Sequence, residues 1–295
     1  MKEFDRKNEI RKKRIQLLVL IMIGALACTW DVMADNPNTP DNATIRIAIF
    51  QMAPEVGNFT ANHATIEKAI DVSSEQEADW FITPELAESG YEFTDYVRPD
   101  QLPEFPSPWF KTLGEISRDK NITLFIGFPE RLRSTYYNAV AVIDRDGNLS
   151  GIYQKNDIIP SKNENWATLG NARTLEVDGH TVGYYICADV VNQSITNTYI
   201  ANDVKIMLSS AAWYPDPRMG PEEYWENVTA ISGVPLVIAN TVGKKGKIDF
   251  THADSGVYQD GKPVYLVPES EQVIAFVDWN YLTGEIAPAE KAERV

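Results

Sequence analysis

Residues 183–189 read Gly183-Tyr184-Tyr185-Ile186-Cys187-Ala188-Asp189 and join the end of an apolar strand to a turn and the approach to a helix. The apolar pattern predicts a strand over Thr181–Ile186 and a helix from about Val191 to Ala201. Cys187 would then stand where a helix N-terminus favours the thiolate form. A lone cysteine is more often buried and inert, so this stretch indicates a nucleophile only if other motifs support it.

Two other motifs place a reactive side chain just beyond a predicted strand, where α/β sheets carry their sites. In Thr83-Pro84-Glu85-Leu86-Ala87-Glu88-Ser89-Gly90-Tyr91, Glu85 follows a short apolar strand, and apolar surroundings would raise its pKa toward the value that a general base needs. In Ile152-Tyr153-Gln154-Lys155-Asn156-Asp157, Lys155 ends a strand. Taken singly, such residues are more often solvated surface groups.

The composition excludes several classes of protein. The chain of 295 residues is 44% hydrophobic, which allows a sizeable core, and its net charge of −15 argues against nucleic-acid binding. His63, His180 and His252 are far apart, and no HxH, HExxH or CxxC spacing occurs. We therefore expect neither a metal site nor a cofactor. The two cysteines, Cys28 and Cys187, do not form a disulfide framework.

The first 34 residues have the pattern of an export signal. Seven basic residues between Lys2 and Arg14 precede the apolar run Leu17–Cys28, which is short for a membrane span but suits the core of a signal peptide. Small residues that signal peptidase requires occur up to Ala27 and up to Ala34. We therefore predict that residues 1–34 are a signal peptide or N-terminal anchor.

The destination of the chain follows from that segment. Export to the periplasm or the outside of the cell is predicted, and residues 35–44, which are rich in Asn, Pro, Thr and Asp, read as a linker. Three alternatives stay open: membrane anchoring through residues 15–34, lipidation of Cys28, and a buried helix of a cytosolic protein. The remaining residues, 45–295, show no internal linker and no repeat, so we predict one domain there.

Within that domain the periodicity predicts mixed sheets with helices on their outer faces. The predicted strands are Ile45–Met52, Trp80–Thr83, Ile122–Phe128, Tyr137–Ile143, Leu149–Gln154, Thr181–Ile186, Lys205–Ser209, Pro235–Asn240, Ser255–Tyr258, Val264–Val267 and Val273–Val277. The predicted helices are Thr60–Ala78, a helix that Ser107 and Pro108 begin and that ends near Lys120, Val191–Ala201, and Pro221–Ser232.

Glu85, Lys155 and Cys187, in that order, resemble the catalytic residues of the nitrilase/amidase superfamily of carbon–nitrogen hydrolases. The resemblance extends from about Ile45 to Trp279, nearly the whole predicted domain. Further segments similar to the family are Ile47–Met52, Gly127–Glu130 followed by Tyr137-Asn138-Ala139, Ala212-Trp213, and Ala239–Gly243. This resemblance implies an α/β fold, a four-layer α-β-β-α sandwich, which pairs through a helical face into a homodimer or a larger homo-oligomer.

The resemblance also implies roles for individual residues. Cys187 would attack an amide carbon and form a thioester, with Glu85 as the base and Lys155 as the stabiliser of the oxyanion. The backbone N–H of Ala188 would assist Lys155. Glu130 stands where the family has a second glutamate and would position the base, the lysine or the substrate; a surface salt bridge is its alternative role.

The sequence after Cys187 bears on the substrate. Residues 188–193 lack the aromatic-Pro-Glu stretch of many amidases and the Trp-Glu pair of nitrilases, so a small-molecule amide is expected rather than a nitrile. An N-acyltransferase using the same acyl-cysteine, a nitrile hydrolase and a binding protein that retained the fold are the alternatives. Aromatic residues that could line the pocket, although aromatics are more often core, are Tyr91, Trp166, Trp213 and Tyr214.

Overall fold

Two β-sheets lie against each other in the computed structural model, which describes residues 43–158, 164–215, 220–267 and 270–295. The first sheet has seven strands in the order β13-β12-β1-β2-β3-β4-β5, and the second has six in the order β11-β10-β9-β8-β7-β6. The strands are β1 Thr44–Gln51, β2 Trp80–Ile82, β3 Thr123–Leu132, β4 Thr135–Ile143, β5 Leu149–Gln154, β6 Leu175–Val177, β7 His180–Ile186, β8 Ile206–Ala211, β9 Leu236–Asn240, β10 Gly256–Gln259, β11 Lys262–Leu266, β12 Val273–Asn280 and β13 Ile286–Arg294.

The side chains of β1 show how the first sheet is covered on both faces. Ile47 and Ile49 are fully buried in the core that also contains Tyr184 and Val237 of the second sheet. Phe50, on the opposite face of β1, lies in a separate core formed with helices. Successive side chains of a strand point to opposite faces, so a strand that is apolar on both faces separates two layers.

In the described residues, four α-helices complete the layers: α1 Phe59–Glu75, α2 Pro108–Lys120, α3 Gln193–Ala201 and α4 Glu222–Ser232. Ile66 of α1 and Leu113 of α2 pack on the outer face of the first sheet. Tyr199 of α3 and Trp225 of α4 pack with residues of the second sheet. The result is the expected α-β-β-α sandwich, and Thr44–Val295 forms one compact unit.

Several predicted spans agree closely with the structure. Strand β5 has the predicted bounds, and α2 begins at Pro108 and ends at Lys120 as the proline at the first turn indicated. Asn58 caps α1 by accepting a hydrogen bond from the Ala61 N–H at 3.2 Å. Strands β6 and β13 were not predicted, because β6 is short and β13 has little apolar alternation.

The N-terminal predictions fall outside this structure. The signal segment and anchor, with Cys28, lie among residues 1–42, outside the described residues, as does nearly all of the predicted linker; β1 begins at Thr44. No helix of the described residues is long and apolar enough to cross a membrane.

Candidate active site

Glu85 lies three residues after β2, at the edge where the parallel strands β1, β2 and β3 end. Its side chain is fully buried. One carboxylate oxygen, Oε1, accepts hydrogen bonds from Lys155 Nζ at 2.6 Å and from Asn138 Nδ2 at 2.7 Å. The other, Oε2, accepts from the backbone N–H of Ala212 at 3.0 Å. Three donors from separate segments of the chain therefore fix the orientation of this carboxylate.

Lys155 directly follows β5 and is as buried as Glu85. Its ammonium lies between two carboxylates, 2.6 Å from Glu85 Oε1 and 2.5 Å from Glu164 Oε1. Burial alone would lower the pKa of Lys155, but the two carboxylates outweigh it and raise the pKa well above the usual value. Lys155 is therefore a permanently charged group at a fixed position.

Glu164 is a member of this site that the sequence analysis missed. It is buried, and its Oε1 also accepts a hydrogen bond from the Tyr91 hydroxyl at 3.0 Å. The stretch Asn163-Glu164-Asn165 is polar and follows no predicted strand, so local pattern indicated a surface loop. Glu164 lies nine residues after Lys155 in the sequence, and its local pattern did not mark it as a site residue.

The structure assigns Glu130 a different place from the one the resemblance implied. Glu130 lies on β3, and its Oε2 accepts a hydrogen bond from Gln154 Nε2 at 2.5 Å. It contacts the residue before Lys155, not Lys155 or Glu85. The two carboxylates that contact Lys155 are Glu85 and Glu164, so Glu130 does not hold the lysine directly; its expected role toward the substrate stays a prediction.

Cys187 begins a 3₁₀ turn over Cys187–Val191, and helix α3 begins only at Gln193. The predicted order of strand, tight turn and helix is therefore confirmed, with Cys187 at the first position of the turn. The residue has a positive φ of 48°, a conformation that costs energy in a non-glycine residue and occurs at functional sites. Ala188 follows it, buried in the first turn, where backbone N–H groups have no acceptor within the helix.

The thiol of Cys187 is neutral at rest. Burial and the carboxylate of Glu85 raise its pKa well above the usual value, although the Lys155 ammonium and the Ala212 N–H act in the opposite direction. A neutral thiol is a poor nucleophile, so its attack requires a base that removes the proton at the same time.

Glu85 has the proton affinity that this base needs. Burial raises its pKa from 4.5 to about 7, against the lowering effect of Lys155 and with a further rise from Glu164. A carboxylate with a pKa near the working pH both accepts and returns a proton efficiently. The neighbouring Lys155 and Glu164, which carry opposite charges, thus shift the pKa of Glu85 in opposite directions.

Asp189 connects the turn that carries Cys187 to the segment that carries Lys155. Its Oδ2 accepts from the Ile186 N–H at 3.0 Å and from the Tyr153 hydroxyl at 3.1 Å. Its Oδ1 accepts from the backbone N–H groups of Asn156 at 2.8 Å and Asp157 at 2.7 Å. One fully buried carboxylate therefore holds the residue before the cysteine and the two residues after the lysine.

Three of the four predicted pocket aromatics lie together. Tyr91 belongs to an apolar cluster with Leu86, Phe93 and Phe250, against which Trp166 and Tyr214 pack. The indole N–H of Trp166 is buried, and no acceptor among the described residues reaches it. This cluster adjoins Glu164 through the Tyr91 hydroxyl, so it is the apolar part of the site.

Trp213 lies elsewhere. Its ring stacks against Tyr224 of α4, with centroids 5.6 Å apart, and packs edge-on against Trp225. Its backbone N–H donates to Asn240 Oδ1 at 2.9 Å. Trp213 is thus part of the core between the second sheet and α4.

Comparison with known proteins agrees with this geometry. The family model described as carbon-nitrogen hydrolase matches residues 46–278. The chain belongs to the carbon-nitrogen hydrolase family. That match covers every strand from β1 to β12 almost completely and includes Glu85, Lys155, Glu164 and Cys187. The chain is therefore an enzyme of the nitrilase/amidase superfamily.

Individual members of the family are distant from this chain. It is 26% identical over 245 residues to a probable nitrilase of Schizosaccharomyces pombe, covering 78% of this chain and 87% of that protein. It is 23% identical to the N-carbamoylputrescine amidase of Solanum tuberosum, covering 80% and 83%. A solved amidase from Nesterenkonia sp. AN1, carrying an acetamide moiety on its active-site cysteine, superposes with a TM-score of 0.72 at 22% identity, covering 82% and 93%.

Within the described ranges, no three His, Cys, Asp or Glu side chains are grouped so that they could hold a metal ion. The charged side chains around Cys187 are bonded to one another, as shown above for Glu85, Lys155 and Glu164. The arrangement can move a proton and stabilise a negative oxygen with its own groups.

Proposed function

We propose that this carbon-nitrogen hydrolase cleaves a non-peptide amide through a thioester on Cys187, with Glu85 as the base and Lys155 as the oxyanion stabiliser. One observation carries the proposal. A buried carboxylate with a pKa of about 7 and a permanently charged ammonium lie 2.6 Å apart, next to a neutral buried thiol. Acyl transfer from an amide requires these three groups.

The first half of the reaction forms the acyl-enzyme. Glu85 takes the thiol proton while Cys187 Sγ bonds to the amide carbon, and the carbonyl oxygen becomes an oxyanion. Lys155 and the Ala188 N–H stabilise that oxyanion. Glu85, now protonated, gives its proton to the leaving nitrogen, the carbon–nitrogen bond breaks, and ammonia or an amine departs.

The second half releases the acid. Glu85 takes a proton from water, the oxygen of that water attacks the thioester carbon, and Lys155 again stabilises the oxyanion. The carbon–sulfur bond then breaks, Sγ recovers the proton from Glu85, and a carboxylic acid leaves. Glu85 therefore alternates between base and acid, which a pKa of about 7 allows in both directions.

Glu164 supports both halves without exchanging a proton in this scheme. Its carboxylate holds Lys155 at 2.5 Å and also raises the pKa of Glu85. The Tyr91 hydroxyl, which donates to the same oxygen, holds Glu164 against the apolar cluster. The ammonium is thus positioned by two carboxylates and remains available on its remaining side.

Hydrolysis of an amide is favoured over two related reactions. The relative from S. tuberosum and the solved structure from Nesterenkonia are both amidases, which supports an amide as the substrate of this chain. Nitrile hydrolysis and transfer of the acyl group to an amine use the same acyl-cysteine and are the alternatives. Polar residues just after the cysteine turn, among them Asn192 and Gln193, support water as the acceptor.

Trapping the acyl-enzyme tests the proposal. The full chain is mixed with a panel of small aliphatic and aromatic amides, quenched in acid after milliseconds to seconds, digested, and analysed by mass spectrometry. We expect the mass of the acyl group on the Cys187 peptide and free carboxylic acid in solution. A Cys187→Ser variant serves as the matched control, since an oxygen ester differs in mass and stability. Turnover of an amide without any adduct on Cys187 would refute the covalent route.

Partition of the acyl-enzyme separates hydrolase from transferase. Single turnovers are run in graded concentrations of a primary amine, and acid and new amide are quantified. The hydrolase predicts mainly acid at low millimolar amine. New amide as the main product, with negligible acid, would replace the hydrolase with the N-acyltransferase.

We also propose that the chain is exported and that it pairs through a helical face. The basic and apolar N-terminal segment motivates export, which fractionation of the native host with N-terminal sequencing would test. Ile200 at the end of α3 and Ile231 in α4 are 45% and 52% exposed, which supports pairing through these helices. Light scattering of the chain and of an Ile231→Asp variant tests this; a monomeric parent chain would contradict it.

A further inference from the structure

A groove on the helix side of the first sheet is separate from the catalytic cluster, by which we mean Glu85, Lys155, Glu164 and Cys187. It has a volume of about 340 Å³, within the range of small-molecule sites. Its walls include Phe59, Val97, Leu102 and Trp109, and none of its lining residues hydrogen-bonds to Glu85, Lys155 or Cys187. We call it the Glu88 groove, after the carboxylate in its wall.

Glu88 is the one carboxylate among the lining residues and is only 3% exposed; the other polar lining residues are His63, Gln101 and Ser107. One of its carboxylate oxygens lies 3.0 Å from His63 Nε2. No hydrogen bond from the described residues reaches the other oxygen. Burial raises the pKa of Glu88, with His63 opposing that rise. A second positive partner at the free oxygen would offset the desolvation of the carboxylate.

The groove is held in shape by its aromatic side chains. The His63 ring stacks on Trp109, with centroids 3.7 Å apart and planes 9° from parallel. Trp109 is fixed in turn by its indole N–H, which donates to Glu67 Oε1 at 2.8 Å. The stacked pair therefore keeps the histidine on one side of Glu88, while the apolar wall faces the opening.

We propose that the Glu88 groove binds an organic ammonium: a small amine whose charged nitrogen pairs with Glu88 and whose apolar body lies against Phe59, Leu102 and Trp109. Among the lining residues, His63 is the one basic side chain and lies on one oxygen of Glu88; no lysine or arginine of the described residues lines the groove. At about 30 Å³ for each water-sized group, the volume accommodates roughly ten non-hydrogen atoms. The carboxylate of Glu88 favours a positively charged group, and the apolar walls favour a ligand whose remaining atoms are apolar.

This inference goes beyond the proposed amide chemistry and does not depend on it. Glu88 lies three residues after Glu85, but its side chain pairs with His63 on α1, which stacks on Trp109 of α2, and not with Lys155 or Glu164. Binding of an ammonium in the groove is measured without any turnover. The test therefore fails or succeeds separately from the acyl-enzyme experiment.

Calorimetry with three ligands of nearly the same shape tests the proposal on the full chain at pH 8. The probes are 2-phenylethylamine, neutral 2-phenylethanol, and the anion phenylacetate. We expect the amine to bind at least tenfold more tightly than the alcohol, and the anion not to bind measurably. Equal affinity for amine and alcohol, or no binding of the amine at 10 mM, would overturn the proposal.

Two variants locate the binding site. Glu88→Gln is expected to weaken the amine at least tenfold and leave the alcohol within twofold; Glu115→Gln, an exposed position on α2, is the matched control and should change neither. Alkylation of Cys187 with iodoacetamide should leave amine binding intact. Binding that alkylation abolishes but Glu88→Gln does not change would place the amine in the catalytic site. If Glu88→Gln fails to fold, the comparison of the three ligands on the parent chain still decides.

Discussion

Replacing Asp189 with asparagine should slow catalysis without lowering the stability of the fold at pH 8. Asp189 accepts four hydrogen bonds, two on each oxygen. Asparagine has the same shape but offers one oxygen and one N–H₂ group. If its oxygen serves Asn156 and Asp157, its N–H₂ group faces the backbone N–H of Ile186, and two donors meet. That contact loosens the backbone directly before Cys187.

The effect on stability has two opposing parts. Burial raises the pKa of Asp189 from 3.8 to about 6, so the ionised carboxylate costs about 3 kcal/mol of folding free energy, at about 1.4 kcal/mol per tenfold change in proton affinity. Asparagine does not carry this cost. An unsatisfied buried N–H costs roughly 1–3 kcal/mol, so the variant at pH 8 should lie between the stability of the parent and about 2 kcal/mol above it.

The raised pKa of Asp189 determines the direction in which the stability of the parent chain changes with pH. Because the native state binds the Asp189 proton more tightly than the unfolded state, the contribution of this group to stability is largest below pH 3.8 and is lost as pH rises through about 6. Asparagine does not titrate. The parent chain should therefore lose about 2 kcal/mol relative to Asp189→Asn between pH 4 and pH 7, which is most of the full difference of about 3 kcal/mol.

Catalysis should respond differently. A misplaced Cys187 forfeits part of the alignment that the attack needs, and we expect kcat to fall about 10- to 100-fold, or about 1.4–2.8 kcal/mol, at pH 8. Urea denaturation at pH 4.5 and pH 8, with kcat on the same preparations, measures both quantities. Unchanged kcat would refute the positioning role. Loss of several kcal/mol at pH 8 together with lost activity would indicate a purely structural role.

Four further outcomes follow from the catalytic cluster. Cys187→Ala should retain the fold and less than about 1% of turnover, and a larger residual rate in protein free of parent enzyme would exclude the covalent route. Lys155→Ala should lower kcat by on the order of 10² or more. Lys155→Arg should not restore kcat, because a guanidinium differs in shape from an ammonium. Near-parental turnover in either variant would remove the lysine from the mechanism. The parent kcat should rise with pH through about 7 as Glu85 ionises, and a flat profile from pH 5 to 8 would exclude it as the base. Glu164→Gln should move that rise to lower pH, since its carboxylate raises the pKa of Glu85; an unmoved profile would contradict the coupling.

Local sequence patterns predicted most of the elements, and the reasons are local. Strand β5 and helix α2 are bounded by a turn and by a proline at the first helical position, which act on neighbouring residues. Strand β13, Ile286–Arg294, has no such signal: it forms because β12 offers it an antiparallel edge. Pairing between distant segments leaves little trace in a short window of sequence.

The residues of the site likewise divide into those that have a local sequence signal and those that have none. Glu85, Lys155 and Cys187 each follow a strand, so strand prediction and the family resemblance together found them. Glu164 follows no strand, and only the folded chain brings it to Lys155. Glu130 belongs to the right kind of motif, but its carboxylate accepts a hydrogen bond from Gln154 on β5, two strands away in the sheet. A carboxylate's role was thus set by its partner across the fold, which the sequence does not display.

The loop after β2 contains three glutamates whose different partners distinguish their roles. Glu85, Glu88 and Glu92 lie within eight residues, and all are nearly inaccessible to water. Glu85 pairs with Lys155, and burial raises its pKa to about 7, as the proposed base requires. His63 pairs with one oxygen of Glu88, which lines the groove. Glu92 accepts the backbone N–H groups of Lys247 and Ile248 at 2.8 and 3.1 Å. Because burying a carboxylate is costly without a partner, each one reports a specific partner, and that partner decides between catalysis, ligand binding and loop anchoring.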